Sequence, residues 1–217
     1  MIAIIPSILT SNPEEAKELI TRCEGVVDRV SIDIVDGKFA KNKTIDPSAL
    51  SDIDTTLKID YQLMVHEPVN WIERCIRGQG DRIIGHIENM SDQLEFLGKV
   101  QEAGLYIGLA LDLKTDVSEI DPAILTNLDV VLVMSVPAGF GGQEFDKSVL
   151  HKVKKLDKNR IRDKTPFRIQ IDGGVKLENI SEIQSVGVDE VSVGRRIFEG
   201  NLSENIKKFQ DAASKLT

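Results

Sequence analysis

Arg29-Val30-Ser31-Ile32-Asp33-Ile34-Val35-Asp36-Gly37-Lys38-Phe39 reads as a buried strand that ends in carboxylates and a glycine turn. Apolar residues fill its middle. Ser31 and Asp33 interrupt it on one face, because side chains two apart in a strand point the same way. A carboxylate in a buried strand needs a reason, and the rest of the chain is read for what Asp33 faces.

Upstream, Ile2 to Ile8 is a short apolar strand, and Thr10-Ser11-Asn12-Pro13-Glu14-Glu15 combines capping residues, an early proline and acids, as helix starts do. Downstream, Leu57 to Val65 is a third strand, with a short segment around Pro47 to Ile53 before it. Pro68 opens a helix to about Ile76, and Asp81 to Ile87 is the fourth strand. Ser91 to Ala103 is an amphipathic helix, with Leu94, Leu97 and Val100 on one side and Gly104 at its end. Leu105 to Leu111 is the fifth strand, Val117 to Leu125 a weak helix and Leu128 to Val136 the sixth strand. The loop Pro137-Ala138-Gly139-Phe140-Gly141-Gly142-Gln143 leads to a basic helix over Ser148 to Asn159. Phe167 to Ile171 is the seventh strand, ending in Asp172-Gly173-Gly174, and Leu177 to Val186 the next helix. Glu190 to Val193 is the eighth strand, and Gly194-Arg195-Arg196 leads into final helices ending near Lys215.

Alternation of strand and helix with short connections favours a parallel sheet with right-handed crossovers. Eight units predict an α/β fold, a closed (β/α)₈ TIM barrel, as one domain over residues 1–217. An open doubly wound sheet is the lesser option, since no GxGxxG follows the first strand.

With 27 Lys+Arg against 35 Asp+Glu, the net charge of −8 works against non-specific attraction to nucleic acid or anionic membrane, so any phosphate site must be local. A hydrophobic share of 41% supports a substantial core rather than disorder. Cys23 and Cys75 form no CxxC pair, which fits a reduced, cytoplasmic protein. Met1 to Leu9 is apolar but lacks a basic flank, and Pro6 breaks it, so it reads as a strand rather than a targeting segment. No apolar run approaches the roughly 18 residues of a membrane helix.

Polar interruptions gather at the C-terminal strand ends, where barrel active sites sit: Ser7, Asp33 with Asp36, Gln62, His86 and Asp172. Ser31 shares a face with Asp33, Gln62 with Met64, and Gln170 with Asp172, so both aspartates can point into the mouth. Each has a plainer alternative. Asp172-Gly173 and Asp36-Gly37 are common turn pairs, a lone His86 suits a hydrogen-bonded core, and Met64 and Met134 suit core filling. Gly141-Gly142, Gly173-Gly174 and Gly194 follow strands six, seven and eight, where barrels often hold phosphate on backbone N–H groups. Arg195 either adds charge there or points to solvent.

Pro6-Ser7-Ile8-Leu9, Asp33 to Phe39, Leu63-Met64-Val65, Met134-Ser135-Val136 with Gly139-Phe140-Gly141-Gly142-Gln143, and Asp172-Gly173-Gly174-Val175 resemble, in order, the ribulose-phosphate 3-epimerase family. The Gly-Phe-Gly-Gly-Gln loop is the most specific of these. The resemblance implies a (β/α)₈ TIM barrel of the ribulose-phosphate-binding type, an isomerase of the pentose phosphate pathway that inverts carbon 3 of phosphorylated ketoses through an enediolate. It implies Asp33 and Asp172 as catalytic acid and base, and Ser7, Met64 and Met134 as pocket lining. It also implies Gly141, Gly142, Gly173, Gly174, Gly194 and Arg195 as the phosphate cradle and its covering loop. The implied partner is a small sugar phosphate, with neither nucleic acid nor membrane, and a homo-oligomer is a possible state. Another sugar-phosphate isomerase or lyase, or a phosphosugar-binding barrel without catalysis, are the alternatives.

The resemblance also implies a divalent metal held by the two aspartates and two histidines, but this chain has Ser31 and Gln62 at the histidine positions. His86 matches a separate histidine of the fourth strand. Other departures are Lys38 for a histidine, Val35 for a methionine and Pro137-Ala138 for Asn-Pro. Serine and glutamine are poor zinc ligands. A harder ion on Asp33, Asp172 and waters, or a charge supplied by Lys38, are open at this stage. In either case the expected chemistry places two carboxylates on opposite barrel walls, one ionised and one protonated.

Overall fold

The structure, a computed structural model, describes residues 2–214, so Met1 and Lys215 lie outside it. Eight parallel strands close in sequence order into a barrel: β1 (Ala3–Ile8), β2 (Arg29–Val35), β3 (Lys58–Met64), β4 (Arg82–His86), β5 (Tyr106–Leu111), β6 (Val130–Met134), β7 (Arg168–Asp172) and β8 (Glu190–Val193). The open doubly wound sheet is thereby set aside. The α-helices are α1 (Pro13–Cys23), α2 (Ile72–Arg77), α3 (Gln93–Glu102), α4 (Val149–Asp163), α5 (Ile180–Ser185) and α6 (Leu202–Ala213).

Local sequence explains the helix starts. Asn12 caps α1 by accepting from the Glu14 N–H at 3.0 Å, with Pro13 in the first turn, and Asp92 and Asn201 cap α3 and α6 in the same manner. The weak helix expected over Val117 to Leu125 is instead two 3₁₀ turns, Val117–Glu119 and Pro122–Asn127. Asp116 and Asp121 each accept from a backbone N–H two residues on, and these bonds, with Pro122, divide the segment before an α-helix can propagate. The helix opened by Pro68 likewise begins as a 3₁₀ turn, Pro68–Trp71, before α2.

The strand faces divide the core. Outward residues such as Ile32, Ile34, Ile59, Ile83, Val131 and Ile169 join the helices in the main apolar cluster. A smaller inner cluster, including Val35, Met64, Ile84, Ala110, Leu132 and Met134, fills the barrel towards the mouth. Gly108 is required inside it, because a Cβ there would lie 2.6 Å from Val130 Cγ1 and 2.8 Å from Ile84 Cγ1.

The N-terminal end of the barrel is ionic. Arg82, 4% exposed, donates to Asp60 at 2.5 Å and to Glu190 at 2.7 Å. Arg29 also pairs with Asp60, and Arg168 with Glu190 at 2.8 Å. At Asp60 burial prevails over the two arginines and holds the carboxyl above its usual range. At Glu190 burial is outweighed by Arg82 and then Arg168, and its carboxyl lies below that range. Removing Arg82 leaves two buried carboxylates without their shared cation, so Arg82→Leu is expected to lose about 3–5 kcal/mol of unfolding free energy. Urea denaturation measures the loss.

Candidate active site

The mouth is assembled from the last inward-facing residues of the strands. In β2, Ser31 and Asp33 face inward, and the register sets Asp33 beside Gln62 of β3 and Ser31 beside Ser7 of β1. Met134 of β6 stands beside Asp172 of β7. Ser7, Ser31, Asp33, Gln62, Met64, His86 and Met134 are all buried, and Asp172 is half-buried.

Hydrogen bonds tie most of this set together. The Ser7 hydroxyl donates to Asp33 Oδ2 at 2.7 Å. Gln62 Nε2 lies 3.3 Å from His86 Nε2 and 3.2 Å from Met134 Sδ, and its amide also interacts with Asp172. His86 Nδ1 is 3.1 Å from Glu88 Oε2. Three buried oxygens have no partner: Ser31 Oγ, Asp33 Oδ1 and Gln62 Oε1.

Burial pushes the Asp33 carboxyl well above its usual range, and the charge of Asp172 adds to this against the pull of the Ser7 and Ser31 hydroxyls. Asp172 is pushed up to about 6, again chiefly by burial, against the Gln62 amide and the Gly173 N–H. Two carboxyls sharing a dry site hold one proton between them near neutrality.

The aspartates come from well-separated strands of the ring. In ring order β2 and β7 are three steps apart, one short of directly opposite, and the strand directly across from β7 is β3, which carries Gln62. The two carboxyls therefore face one another obliquely across the mouth, with the Gln62 amide next to Asp33 on the wall across from Asp172.

Loops complete the rim. Asp36 accepts from the N–H groups of Lys38, Phe39 and His66 at 2.7–2.9 Å, which fixes the turn after β2. The Phe39 ring meets His86 edge-on at 5.1 Å between centroids. Asn42 Nδ2 donates to the Gly139 carbonyl at 2.8 Å, and Gly139 has φ 103°, with room for no Cβ because Ala40 Cβ would lie 2.5 Å away. Gln143 closes the glycine loop by donating to the carbonyls of Pro137 and Phe140 at 2.8 and 2.9 Å.

The glycines of the expected cradle follow β6, β7 and β8 at this same end. Gly141 and Gly142 are exposed on their loop, and Gly173 and Gly174 have φ of 108° and 58°. Gly174 presses against the Phe145 backbone, which a Cβ would approach to 2.4 Å. Gly194 and Arg195 are exposed, and Arg195 opens a 3₁₀ turn, Arg195–Phe198. Lys38 is also exposed and lines an outer groove with Lys43, His66 and Arg74, away from the carboxyl pair.

Two contributors escape a sequence reading. Glu88 holds His86, and Ser135 ties β6 to β7 by donating from its backbone N–H to the Asp172 carbonyl at 2.8 Å and from its hydroxyl to the carbonyls of Asp172 and Gly173. The only signal for Glu88 was its position two residues beyond His86.

The four-ligand metal site implied by the resemblance does not fit these residues. Ser31 and Gln62 offer a hydroxyl and an amide in place of imidazoles, and no group of three His, Cys, Asp or Glu among the described residues is placed to hold a metal. No helix among the described residues is long and apolar enough to cross a membrane.

Ribulose-phosphate 3-epimerase 2 of Cupriavidus necator is 34% identical, with 98% of this chain and 93% of that protein covered. Ribulose-phosphate 3-epimerase of Escherichia coli (strain K12) is 33% identical, with 90% of this chain and 88% of that protein covered. Among solved structures, 3-keto-L-gulonate-6-phosphate decarboxylase from Vibrio cholerae superposes over the full length of both chains with a TM-score of 0.70 at 11% identity, a likeness of fold. Residues 3–198 match the ribulose-phosphate 3 epimerase family, and the chain belongs to it.

Proposed function

We propose that this chain inverts carbon 3 of a phosphorylated ketose, ribulose 5-phosphate in the first instance, with Asp33 and Asp172 as the acid and base. The observation that carries the reading is the pair itself: two carboxyls in one mouth, Asp33 buried and Asp172 half-buried, each with its proton affinity raised. A barrel that only bound phosphosugars would bear the cost of that repulsion without using it.

The carbon-3 proton is acidic because it adjoins a carbonyl, so its removal requires a base and stabilisation of the enediolate oxygens. At neutral pH Asp172, the weaker proton holder, is ionised and takes the proton. Electron density moves onto the carbon-2 oxygen. Asp33 then delivers its own proton to the other face of carbon 3, which leaves Asp33 ionised and Asp172 protonated. The reverse reaction, or proton exchange with water, resets the pair. Ser7 holds Asp33 Oδ2, so the proton of Asp33 belongs on Oδ1, the oxygen without a protein partner. Met64 and Met134 line the sugar, and the glycine turns after β6, β7 and β8, with Arg195, take the phosphate. The relatives' names support a sugar-phosphate substrate.

The direct test is ribulose 5-phosphate in deuterated water followed by NMR: deuterium should enter carbon 3 as the epimer accumulates, and absence of turnover under every metal condition would sink the reading. Asp33→Asn and Asp172→Asn should each lower kcat by about 10²–10⁴ with little change in KM. The kcat/KM of the parent should fall as pH drops through about 6, because Asp172 then becomes protonated and ceases to act as a base.

Stability should show the opposite trend to activity. A carboxyl whose proton affinity is higher folded than unfolded destabilises the fold once it ionises. Its cost is absent below the unfolded value of 3.8 and complete above about 6. Asp172→Asn should therefore raise unfolding free energy by about 1–2 kcal/mol at pH 7.5, with the gain shrinking towards pH 4, as urea titrations at the two pH values would reveal.

A further inference from the structure

Ser31 and Gln62 stand where the resemblance calls for imidazoles, and both are fully buried. Their hydrogen bonds define what they can do. Glu88 Oε1 accepts from the Asp112 N–H at 2.6 Å, and Oε2 faces His86 Nδ1 at 3.1 Å. A carboxylate only accepts, so in the neutral ring the proton sits on Nδ1 and Nε2 is an acceptor. Nε2 must then receive an N–H from Gln62, 3.3 Å away. This orients the amide: nitrogen towards His86, Asp172 and Met134, carbonyl oxygen into the site.

The second N–H of Gln62 is directed in part at Met134 Sδ, 3.2 Å distant. A thioether is a weak acceptor, and Asp172, the other acceptor near this nitrogen, weakens as one on taking the carbon-3 proton, so that N–H can turn to the developing oxyanion. The Ser31 hydroxyl makes no well-formed hydrogen bond, although it lies near enough to Asp33 to pull on its carboxyl, and Gln62 Oε1 and Asp33 Oδ1 are likewise without one. Leaving a buried polar atom unpaired costs about 1–3 kcal/mol, and native folds keep few such atoms. Here three lie on the neighbouring strands β2 and β3, within the same mouth.

We infer that this epimerase works without a divalent cation, and that the Gln62 amide, held by His86 and Glu88, together with the Ser31 hydroxyl, supplies the hydrogen bonds that stabilise the enediolate oxygens. The inference rests on the 3-epimerase reading above. Balance of charge is kept within the carboxyl pair: one proton leaves carbon 3 to Asp172, one arrives from Asp33, and the negative charge on the carbon-2 oxygen is met in between by neutral donors. Gln62 touches the reacting oxygens and is in that sense catalytic. His86 and Glu88 are positioning residues that act through it.

The test measures the metal content of the purified protein and its turnover of ribulose 5-phosphate with EDTA or with added magnesium, manganese or zinc. The expected result is no stoichiometric metal, and a kcat/KM that stays within about twofold across all conditions. Gln62→Leu should lower kcat by about 10²–10³, as removal of one oxyanion donor does, with KM changed by less than about threefold. His86→Leu should lower kcat in the same sense, and His86→Asn, which restores an acceptor for the amide, should recover part of it.

Ser31→His/Gln62→His should gain stoichiometric zinc binding by calorimetry, a readout independent of turnover. Turnover that is lost in EDTA and restored by one metal, or a stoichiometric metal in the parent, overturns this inference and leaves the epimerase reading standing. A double variant that binds no zinc overturns the assignment of metal exclusion to residues 31 and 62. No turnover under any condition overturns both readings.

Discussion

A closed ring of parallel strands turns every second side chain towards an interior with little water, and every polar group placed there must find its partner among the few others that share the space. In this barrel that constraint is met in two different ways at the two ends. At the base, arginines and acids neutralise one another, with Arg82 between Asp60 and Glu190. At the mouth, two aspartates share the space with a serine and an amide in place of any cation, and three oxygens are left unpaired. Charge is settled where the barrel only has to stand and unsettled where chemistry is to occur.

The same contrast separates the two readings of the site. At the base every carboxylate meets a cation, and Arg82 Nε is the one buried side-chain nitrogen or oxygen of Arg82, Asp60 and Glu190 left without a hydrogen bond. The mouth does not close. Ser7 satisfies one oxygen of Asp33, and the Glu88–His86 pair satisfies one side of the Gln62 amide. What is left over points at a ligand with hydroxyls and a carbonyl, the polar groups of an open-chain ketose. The loop after β2 and the glycine loop after β6, joined by Asn42 and by the Ala40–Gly139 contact, border that ligand on one side.

Much of this was legible from local pattern. Two-residue spacing in Ser31–Asp33 and Gln170–Asp172 was enough to place both aspartates on inward faces, and the eight strand-helix units were enough for the barrel. What local pattern could not carry was partnership across the ring. Arg82 and Glu190 stand 108 residues apart, and nothing in either segment names the other, although Arg82 shares a face with His86 and Glu190 with Ser192. The relative position of β2 and β7 is of the same kind: parity tells inside from outside, while separation around the ring depends on strand order. The stretch from Val117 to Leu125 failed locally, because apolar spacing outweighed the capping acids that cut it into 3₁₀ turns.

The ionic base also bears on which sheet the chain can form. Arg82 lies on β4, Asp60 on β3 and Glu190 on β8, so the cation is shared between the first half of the chain and its final strand. A half-formed barrel would bury Arg82 and Asp60 before Glu190 had arrived, and Glu190 would meanwhile have only Arg168 as its partner. An open sheet with β1 and β8 unpaired would scatter the same charges over its inner face. The network thus rewards closure of the ring as a whole, so that the last strand to be synthesised makes the first ones electrically complete.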